Sequence, residues 1–297
     1  MTVADIQRVG VIGTGTMGNG IAQVFAQTGV NVVMVDITRE FIDRALTNID
    51  GSLQRLVKKE KMTADEAATV LGRIKGTTSL DDTKDVDFVV EAVTENITIK
   101  REIHARLGQI LREGVIISSN TSSIPITDLA KASGRPTHFI GMHFMNPVPV
   151  MKLVEVIRGY DTTDETTKVT CDLATRLGKT PVEVHDFPGF AANRVLMPLI
   201  NEAIFALFEG VGTVEAIDQV CKLGLAHPMG PLQLADFIGL DVCLAIMKVL
   251  HDGFGDPKFR PCPLLVKLVT AGHLGDKTGR GFYTWEGHKV TGVAYNA

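Results

Sequence analysis

The first part of the chain alternates short apolar runs with segments of helical periodicity. Four runs have the length and composition of buried strands: 30–35, 88–92, 115–118 and 139–143. Strands that alternate with helices in this way are typical of a parallel sheet covered by helices on both faces. The pattern therefore predicts an α/β domain with a doubly wound sheet over residues 1–187.

The pattern changes at Asp186-Phe187-Pro188, where strand-like runs stop. Three longer segments with helical spacing follow: 190–208, 214–222 and 231–250. We therefore place a domain boundary at Pro188-Gly189 and predict an all-α C-terminal domain over residues 188–297. These helices carry more apolar residues than a small bundle can bury, so we expect this domain to form a homodimer.

A glycine-rich turn follows the first apolar run. Gly13 permits a tight turn, Gly15 lets the backbone approach a pyrophosphate, and Gly18 lets the next helix pack on the strand. Thr16 and Met17 begin that helix, and its N-terminus would face the phosphates. This context predicts a dinucleotide site in a Rossmann-type fold. The alternative is a glycine turn in a parallel-sheet protein that binds no nucleotide.

Asp36 ends the second predicted strand and bears on the choice of cofactor. A carboxylate there accepts hydrogen bonds from ribose hydroxyls and repels a 2′-phosphate, so NAD is favoured over NADP. Arg39 lies close behind and has two interpretations. It can reach toward a phosphate, or it can be a solvated residue in the first turn of a helix.

Composition and charge exclude several classes of protein. The net charge of −4 gives no basic field for nucleic acid, and the longest uncharged stretch is too interrupted by glycine and amide residues to span a membrane. The four cysteines have neither disulfide nor metal-ligand spacing, so no metal site is expected. Together with an N-terminus that lacks the features of a signal or transit segment, this composition predicts a cytoplasmic protein.

The predicted helix from Arg39 to Lys61 has two distinct faces. An apolar stripe marks the face turned to the core: Ile42, Leu46, Ile49, Leu53 and Leu56. Ser52, Arg55 and Lys59 share the polar face. This face is either an ordinary solvated basic surface or a patch for a phosphate-rich ligand beside the nucleotide site.

Candidate chemistry lies in the segment from His143 to Glu155. The prolines of Asn146-Pro-Val-Pro149 stop a regular strand, so the chain turns there and brings His143 near Glu155. A carboxylate in an apolar strand needs a partner, and an imidazole is a suitable one. The carboxylate would fix the tautomer and leave the other ring nitrogen to exchange a proton with substrate. The alternative is a buried pair that only closes a hairpin.

The sequence also resembles a known family, the 3-hydroxyacyl-CoA dehydrogenases, over about Val9 to Tyr283. The resemblance rests on seven motifs: Gly13-Thr-Gly-Thr-Met-Gly18, Glu91-Ala-Val-Thr-Glu95-Asn, Ser119-Asn-Thr-Ser-Ser123, His143-Phe-Met-Asn-Pro147, Pro188-Gly-Phe-Ala-Ala-Asn-Arg194, His227-Pro-Met-Gly-Pro231 and Lys277-Thr-Gly-Arg-Gly-Phe-Tyr283. It implies interconversion of (S)-3-hydroxyacyl-CoA and 3-oxoacyl-CoA with NAD, most closely for a four-carbon acyl group.

The resemblance implies four residues at the reaction centre. His143 and Glu155 match the catalytic dyad, and Asn193 matches an asparagine that holds the substrate oxygen. The match of Asn193 implies that the C-terminal domain contributes to substrate binding. Ser122 matches a serine that contacts both substrate and nicotinamide. From its position alone, Ser122 also suits the cap of the following helix.

Further residues match the family's binding positions. Glu95, Lys100, Asn146 and Lys277 match NAD contacts, and Ser52 and Lys59 match coenzyme A contacts. The last match favours the phosphate-binding interpretation of the basic helix face.

One departure is the Ala191-Ala192 pair, where bulkier residues are common in the family. It changes the volume of the acyl pocket or reflects a tight packing contact.

Two other functions stay open. One is a dehydrogenase of a free 3-hydroxy or sugar acid, and the other is a crystallin-like relative with no enzymatic role. Retention of His143 and Glu155 argues against the second.

Overall fold

The structure is a computed structural model that describes residues 2–295. The chain divides between Phe187 and Pro188 into two compact units, here called unit 1 and unit 2. Unit 1 is an α/β sheet domain, and unit 2 is mainly helical. No helix of the described residues is long and apolar enough to cross a membrane.

Between residues 2 and 187, unit 1 contains eight strands and six α-helices. The strands are β1 (Arg8–Ile12), β2 (Asn31–Val35), β3 (Ile74–Thr77), β4 (Phe88–Glu91), β5 (Ile116–Ser119), β6 (Phe139–Phe144), β7 (Leu153–Arg158) and β8 (Thr180–His185). The helices are α1 (Thr16–Gln27), α2 (Arg39–Lys58), α3 (Ala64–Gly72), α4 (Ile97–Ile110), α5 (Ile126–Ser133) and α6 (Asp164–Arg176).

These strands form one sheet in the order β3-β2-β1-β4-β5-β6-β7-β8. The chain adds β2 and β3 on one side of β1 and then returns to add β4 and the later strands on the other side. Open α/β sheets bind ligands at such a switch point, beyond the carboxyl ends of the strands. The predicted strands and the predicted α/β class are confirmed, but β3 and β8 were missed. Both are edge strands of the sheet: one residue of β3 is buried, and none of β8 is.

The sheet has one antiparallel pair of strands, at the turn that Asn146-Pro-Val-Pro149 predicted. β6 and β7 run antiparallel, because residues 145–152 join them by a short turn without a crossover helix. His143 and Glu155 are direct partners in this register. Directly opposite residues project from the same face of a sheet, so this departure is what brings the two side chains together.

The described part of unit 2, residues 188–295, contains five α-helices and one hairpin. The helices are α7 (Ala192–Phe208), α8 (Val214–Gly224), α9 (Pro231–Ile238), α10 (Leu240–Phe254) and α11 (Pro263–Thr270). The strands β9 (Tyr283–Glu286) and β10 (Lys289–Val293) pair antiparallel. Residues 296 and 297 of the predicted C-terminal domain lie outside the described part of the chain.

The prediction of a helical C-terminal domain is confirmed, but one predicted helix is wrong in detail. The helix predicted over 231–250 is two helices, because Gly239 has a φ of +104° and interrupts the helical path. The hairpin is an addition to the helices that the sequence did not predict. It is held by buried Asp236, which accepts hydrogen bonds from the amides of Phe282 and Tyr283 and from the indole of Trp285 at 2.8–3.0 Å.

Candidate functional site

The glycine turn after β1 has the geometry of a phosphate-binding loop. Gly13 has a φ of +94°, and a Cβ there would lie 2.7 Å from the carbonyl oxygen of Ala92. A Cβ on Gly18 would lie 1.9 Å from the Gly13 oxygen, so side chains are excluded at both positions. At Gly15, the N-cap of α1, an added Cβ would meet no protein atom within 4 Å. The space beside Gly15 is therefore open to a ligand.

A cleft of about 520 Å³ opens beside this turn. It is lined by the glycine turn, the end of β2, the first half of α2 and the loop after β4, including Gly13, Gly15, Thr16, Asp36, Phe41, Val93 and Ile99. The N-terminus of α1 presents amide groups and a positive dipole end to an anion in this position. The residues present fit a dinucleotide: they offer an anion site, a carboxylate for ribose hydroxyls and apolar side chains for a planar base.

Asp36 is held in place by its neighbours. Its Oδ2 accepts hydrogen bonds from the amide and hydroxyl of Thr14 at 2.7 and 2.6 Å, and its Oδ1 accepts one from the Ile37 amide at 2.7 Å. Arg39 forms an ion pair with Asp43 at 2.9 Å on the exposed side of α2. This contact supports the solvated interpretation of Arg39. Two charged side chains line the cleft, Asp36 and Arg44, and Arg44 also pairs with Glu40 at 3.3 Å.

The end of β4 carries a buried charged group that the sequence analysis missed. Glu91 accepts hydrogen bonds from Lys100 at 2.6 Å, from Ser119 at 2.7 Å and from the Val93 amide at 2.7 Å, and its Oε2 lies 3.1 Å from Nε2 of His104. We call Glu91, Lys100, His104 and Ser119 the Glu91 cluster. All four side chains are buried.

The cluster keeps Glu91 ionised despite its burial. Burial favours the neutral acid, but the hydrogen bond with His104 and the charge of Lys100 outweigh it and lower the pKa of Glu91 to about 2. The sequence did contain a signal for the Glu91 cluster. A carboxylate ends an apolar strand, and Lys100 and His104 follow it four residues apart on one helix.

Glu95 fixes the turn that contains Ser122. Its Oε1 accepts hydrogen bonds from the Thr121 hydroxyl at 2.5 Å and from the amides of Ser122 and Ser123 at 3.0 and 3.2 Å. We call residues 121–123 the Ser122 turn. Lys100 Nζ lies 3.3 Å from Oε2 of the same Glu95 carboxylate. Glu95 therefore joins the Glu91 cluster to the Ser122 turn.

Ser122 does not cap the next helix, so that interpretation is wrong. α5 begins at Ile126, and the amides of Ile126 and Thr127 donate to Asp186 at 3.0 and 2.7 Å. A carboxylate from a distant segment thus satisfies the first turn of α5. Ser122 is left at the carboxyl edge of the sheet, in the turn held by Glu95.

His143 and Glu155 form a second buried histidine–carboxylate pair in unit 1. Nδ1 of His143 lies 2.8 Å from Oε2 of Glu155, with the side chains 11% and 3% exposed. Glu155 lies between buried Val154 and Val156, which explains why its carboxylate is aligned with a partner on β6. The hydrogen bond orients the imidazole, so Nε2 is the nitrogen turned away from Glu155.

The end of β6 is also held from the neighbouring strand. The Phe144 amide donates to the side-chain oxygen of Asn120 at 2.8 Å, and the Asn120 amide donates to the backbone oxygen of Glu91 at 2.7 Å. The residue next to His143 is therefore tied to the ends of β5 and β4. Asn146 lies just beyond, in the turn between β6 and β7.

Of the predicted coenzyme A residues, Ser52 lies near the end of α2 and Lys59 is the C-cap of that helix. The apolar stripe of this helix faces the core as predicted, with Ile42, Ile49 and Leu53 buried. The helix ends at Lys58 rather than at Lys61, because Lys59 is the C-cap and Glu60 has a φ of +55°. Ser52 is half-buried and Lys59 is exposed, and Arg55 and Lys58 add positive charge near them.

Asn193 and Lys277 belong to unit 2. Asn193 is buried in the first turn of α7, preceded by Ala191 and Ala192. Lys277 forms an ion pair with Asp241, with Nζ to Oδ2 at 2.6 Å. Among residues 2–295, His, Cys, Asp and Glu side chains form no group of three that could bind a metal ion.

A dinucleotide cleft and an imidazole–carboxylate pair on one doubly wound sheet define the class of nicotinamide-dependent dehydrogenases. Comparison with known proteins gives the family. Residues 8–187 match the model for the NAD-binding domain of 3-hydroxyacyl-CoA dehydrogenase, and residues 189–285 match its C-terminal domain. The chain therefore belongs to the 3-hydroxyacyl-CoA dehydrogenase family, and its cofactor is NAD.

Individual relatives agree with this family over nearly the whole chain. The sequence is 60% identical over 278 residues to a probable 3-hydroxybutyryl-CoA dehydrogenase of Deinococcus radiodurans, covering 94% of this chain and 100% of the relative. A probable 3-hydroxybutyryl-CoA dehydrogenase of Bacillus subtilis is 53% identical over 282 residues, with 95% and 98% covered. The crystal structure of (S)-3-hydroxybutyryl-CoA dehydrogenase from Ralstonia eutropha matches with a TM-score of 0.92 and 53% identity, covering 95% and 99%.

Proposed function

We propose that this protein interconverts (S)-3-hydroxybutyryl-CoA and acetoacetyl-CoA with NAD(H), and that His143 and Glu155 carry out its acid–base chemistry. The observation that carries the proposal is the 2.8 Å contact between His143 and Glu155 in a chain that belongs to this family. The identity of 53–60% with relatives named for the four-carbon substrate supports this acyl length. Such a reaction serves the metabolism of fatty acids and other short acyl-CoA compounds.

The proton steps follow from the orientation of the imidazole. Glu155 holds Nδ1, so Nε2 of His143 accepts the 3-hydroxyl proton during oxidation and returns it to the 3-oxo oxygen during reduction. The Glu155 carboxylate stabilises the imidazolium that forms in between. When bound, NAD supplies the nicotinamide ring that accepts the hydride from carbon 3 during oxidation.

Residues at the carboxyl edge of the sheet would align the two reactants. We assign Ser122, Glu95 and Asn146 to this edge because they follow β5, β4 and β6 respectively. The glycine turn, Thr16 and Met17 would hold the pyrophosphate, and Asp36 the adenosine ribose. Lys100, Asn193 and Lys277 remain predicted contacts, the first and last to NAD and Asn193 to the substrate oxygen.

Coenzyme A would bind on the basic end of α2. Ser52 and Lys59 are seven residues apart, which places them two turns apart on one side of the helix path. A hydroxyl and an ammonium group suit the phosphates of coenzyme A. The cations also oppose the negative end of the helix dipole, so their presence alone does not establish the site.

Loss of NADH absorbance on addition of acetoacetyl-CoA tests the whole proposal. The proposal predicts rapid NADH oxidation with the thioester, slow oxidation of NADPH and little turnover of free acetoacetate. Turnover of free acids without the thioester would assign the protein to the free-acid branch instead. Inactivity with all of these substrates, in protein that still binds NADH, would favour the non-enzymatic alternative.

We infer that unit 2 forms a homodimer. Large apolar side chains are exposed on it, including Val195, Val211, Val220 and Leu223 at 64–83% exposure. A cleft of about 330 Å³ with mainly apolar lining lies among α7, α8 and the start of α9. Light scattering should give twice the chain mass, and Leu223→Glu should shift it toward one chain. A monomeric wild-type protein at micromolar concentration would overturn the inference.

The location of the protein in the cytoplasm stays a prediction.

A further inference from the structure

The turn between β6 and β7 has more backbone hydrogen-bond acceptors than donors. Pro147 and Pro149 have no amide hydrogen, whereas every residue of the turn has a carbonyl oxygen. Within the turn, the amides of Val150 and Met151 both donate to the Pro147 carbonyl oxygen at 3.0 Å. Val148 is only 2% exposed, so its carbonyl oxygen needs a donor from another part of unit 1.

Lys179 supplies the missing donors. Its Nζ donates to the carbonyl oxygen of Val148 and, at 2.8 Å, to that of Met151. The residue is buried, and burial together with the charge of nearby Lys152 lowers the pKa of Lys179. Both acceptors are backbone oxygens of the turn. The side chain of Lys179 therefore joins two points of the turn that have no strand or helix partner of their own.

The backbone around Lys179 is fixed to its surroundings. The Lys179 amide donates to the Ala174 carbonyl oxygen at the end of α6 at 3.0 Å. The next amide, of Thr180, donates to the Lys152 carbonyl oxygen at 2.8 Å, where β8 begins to pair with β7. The ammonium group thus extends to the turn from an anchored position at the start of β8.

The turn also packs against α1, the helix that begins at the glycine turn. A Cβ on Gly20 would lie 2.9 Å from Cβ of Val148 and 3.5 Å from Cδ of Pro149, so the close approach requires glycine. The preceding residue, Asn19, lines the dinucleotide cleft. Val148 is therefore held on two sides: its side chain lies against α1, and its carbonyl oxygen is bound by Lys179.

We propose that Lys179 is a positioning residue that fixes this turn against α1 and thereby holds Asn146 in place for NAD. Asn146 lies two residues before Val148, so release of the Val148 carbonyl would free the segment that carries it. The proposal rests on the proposed function only for the importance of Asn146 to NAD and turnover. The order of the turn itself is measurable without substrate.

The test compares two substitutions of Lys179. Lys179→Met removes the donors and keeps a long unbranched side chain. Lys179→Gln keeps N–H donors on a side chain one bond shorter, which cannot reach both carbonyl oxygens, and it is the milder change if the Met variant fails to fold. Each is made alone and together with Asn146→Ala. Lys152→Met is the matched control, because it removes an exposed lysine of the same turn.

Three readouts separate positioning from a purely structural role. Hydrogen-exchange mass spectrometry reports the Val150 and Met151 amides, fluorescence titration gives the dissociation constant of NADH, and steady-state kinetics give kcat and KM for acetoacetyl-CoA. In Lys179→Met we expect faster exchange, an NADH dissociation constant raised about fivefold and kcat lowered about tenfold. The KM for acetoacetyl-CoA should change by less than about twofold, because the predicted coenzyme A residues belong to α2.

The remaining variants complete the test. Lys179→Gln should change exchange, NADH binding and kcat in the same directions by smaller factors, and Lys152→Met should match wild type. Adding Lys179→Met to Asn146→Ala should lower kcat by less than about twofold further, because both changes act through the same side chain.

Three results would overturn the proposal. The first is unchanged exchange in both Lys179 variants. The second is a combined variant in which the kcat losses of Lys179→Met and Asn146→Ala multiply. The third is a lower melting temperature with unchanged NADH binding and kcat, which would make Lys179 purely structural. A wild-type protein that binds NADH but does not reduce acetoacetyl-CoA would instead refute the proposed function, and exchange and NADH titration would still decide the role of Lys179.

Discussion

Two buried histidine–glutamate pairs lie in the same sheet domain, and they differ in what surrounds the carboxylate. Glu155 faces His143 across two antiparallel strands at 2.8 Å. Glu91 faces His104 at 3.1 Å but also accepts hydrogen bonds from Lys100 and Ser119. In the second pair, the charge of the carboxylate is already balanced by an ammonium group.

The two imidazoles also differ in access. The His143 side chain is 11% exposed at the carboxyl edge of the sheet, whereas His104 is fully buried with its ring edge-to-face on Phe139 at a centroid distance of 4.8 Å. Nδ1 of His104 has no hydrogen-bond partner among residues 2–295. A general base must reach its substrate, so the His143 pair suits catalysis and the His104 pair suits structure. A histidine–glutamate contact alone does not distinguish these roles.

The largest expected effect separates the two histidines. His143→Asn should lower kcat by about a thousandfold, because it removes the proton acceptor while NADH binding is kept. His104→Gln, which can still donate to Glu91, should lower kcat by less than about tenfold and act mainly on thermal stability. Steady-state kinetics and melting curves of both variants test this difference. Similar losses of kcat in the two would remove the functional distinction.

The two carboxylates, Glu155 and Glu91, should differ as the two histidines do: one acts on turnover and the other on stability. Glu155→Gln should leave the fold intact but lower kcat by about a hundredfold or more, because the imidazole loses its orienting partner. Glu91→Gln should instead lower the free energy of unfolding by about 3–5 kcal/mol, because it leaves Lys100 charged and buried. Denaturant titration together with kinetics separates these outcomes. A fully active Glu155→Gln variant would contradict the proposed dyad.

Low pH should lower the free energy of unfolding by protonating the Glu91 carboxylate. The folded-state pKa of about 2 lies below the ordinary value of 4.5, so the ionised group stabilises the fold above pH 4.5. This contribution should be lost progressively as the pH falls from about 4.5 toward about 2. Unfolding free energies across this range should fall more steeply for wild type than for the variant combining Glu91→Gln with Lys100→Met. Parallel curves would show that Glu91 is not the responsible group.

The smallest effect should come from a single hydrogen bond of the Glu91 cluster. Ser119→Ala removes the 2.7 Å contact to Glu91, which should cost about 1–3 kcal/mol because the acceptor is charged and buried. Urea unfolding measures this difference. Ser118→Ala is a matched control on the same strand, since its hydroxyl donates to the Val89 backbone oxygen instead. A larger loss in the control would argue against the charged acceptor as the cause.

Sequence reasoning identified the pair whose partners are joined by a local turn. The Pro147 and Pro149 positions predicted the turn, and the apolar residues around Glu155 predicted a carboxylate in need of a partner. The His104–Glu91 pair depends on how α4 packs against β4, which periodicity alone does not specify. Its residues lie on separate elements with no turn signal to connect them.

Prediction of the fold meets the same limit: local patterns are recognised, and contacts between distant segments are not. Strands and helices with strong apolar periodicity were predicted, including those that carry the glycine turn. The break at Gly239 and the C-terminal hairpin were missed, since the first reads as one tolerated glycine within a helical pattern. The second is specified by buried Asp236, whose bonds to Tyr283 and Trp285 join segments distant in sequence.

A crystal structure of the protein with NAD and acetoacetyl-CoA would test the central claim most directly. The account predicts that the 3-oxo oxygen lies within about 3 Å of His143 Nε2, with Nδ1 still bound to Glu155. Substrate whose 3-oxo oxygen lies far from His143, or a complex in which the His143 ring has turned away from Glu155, would contradict it.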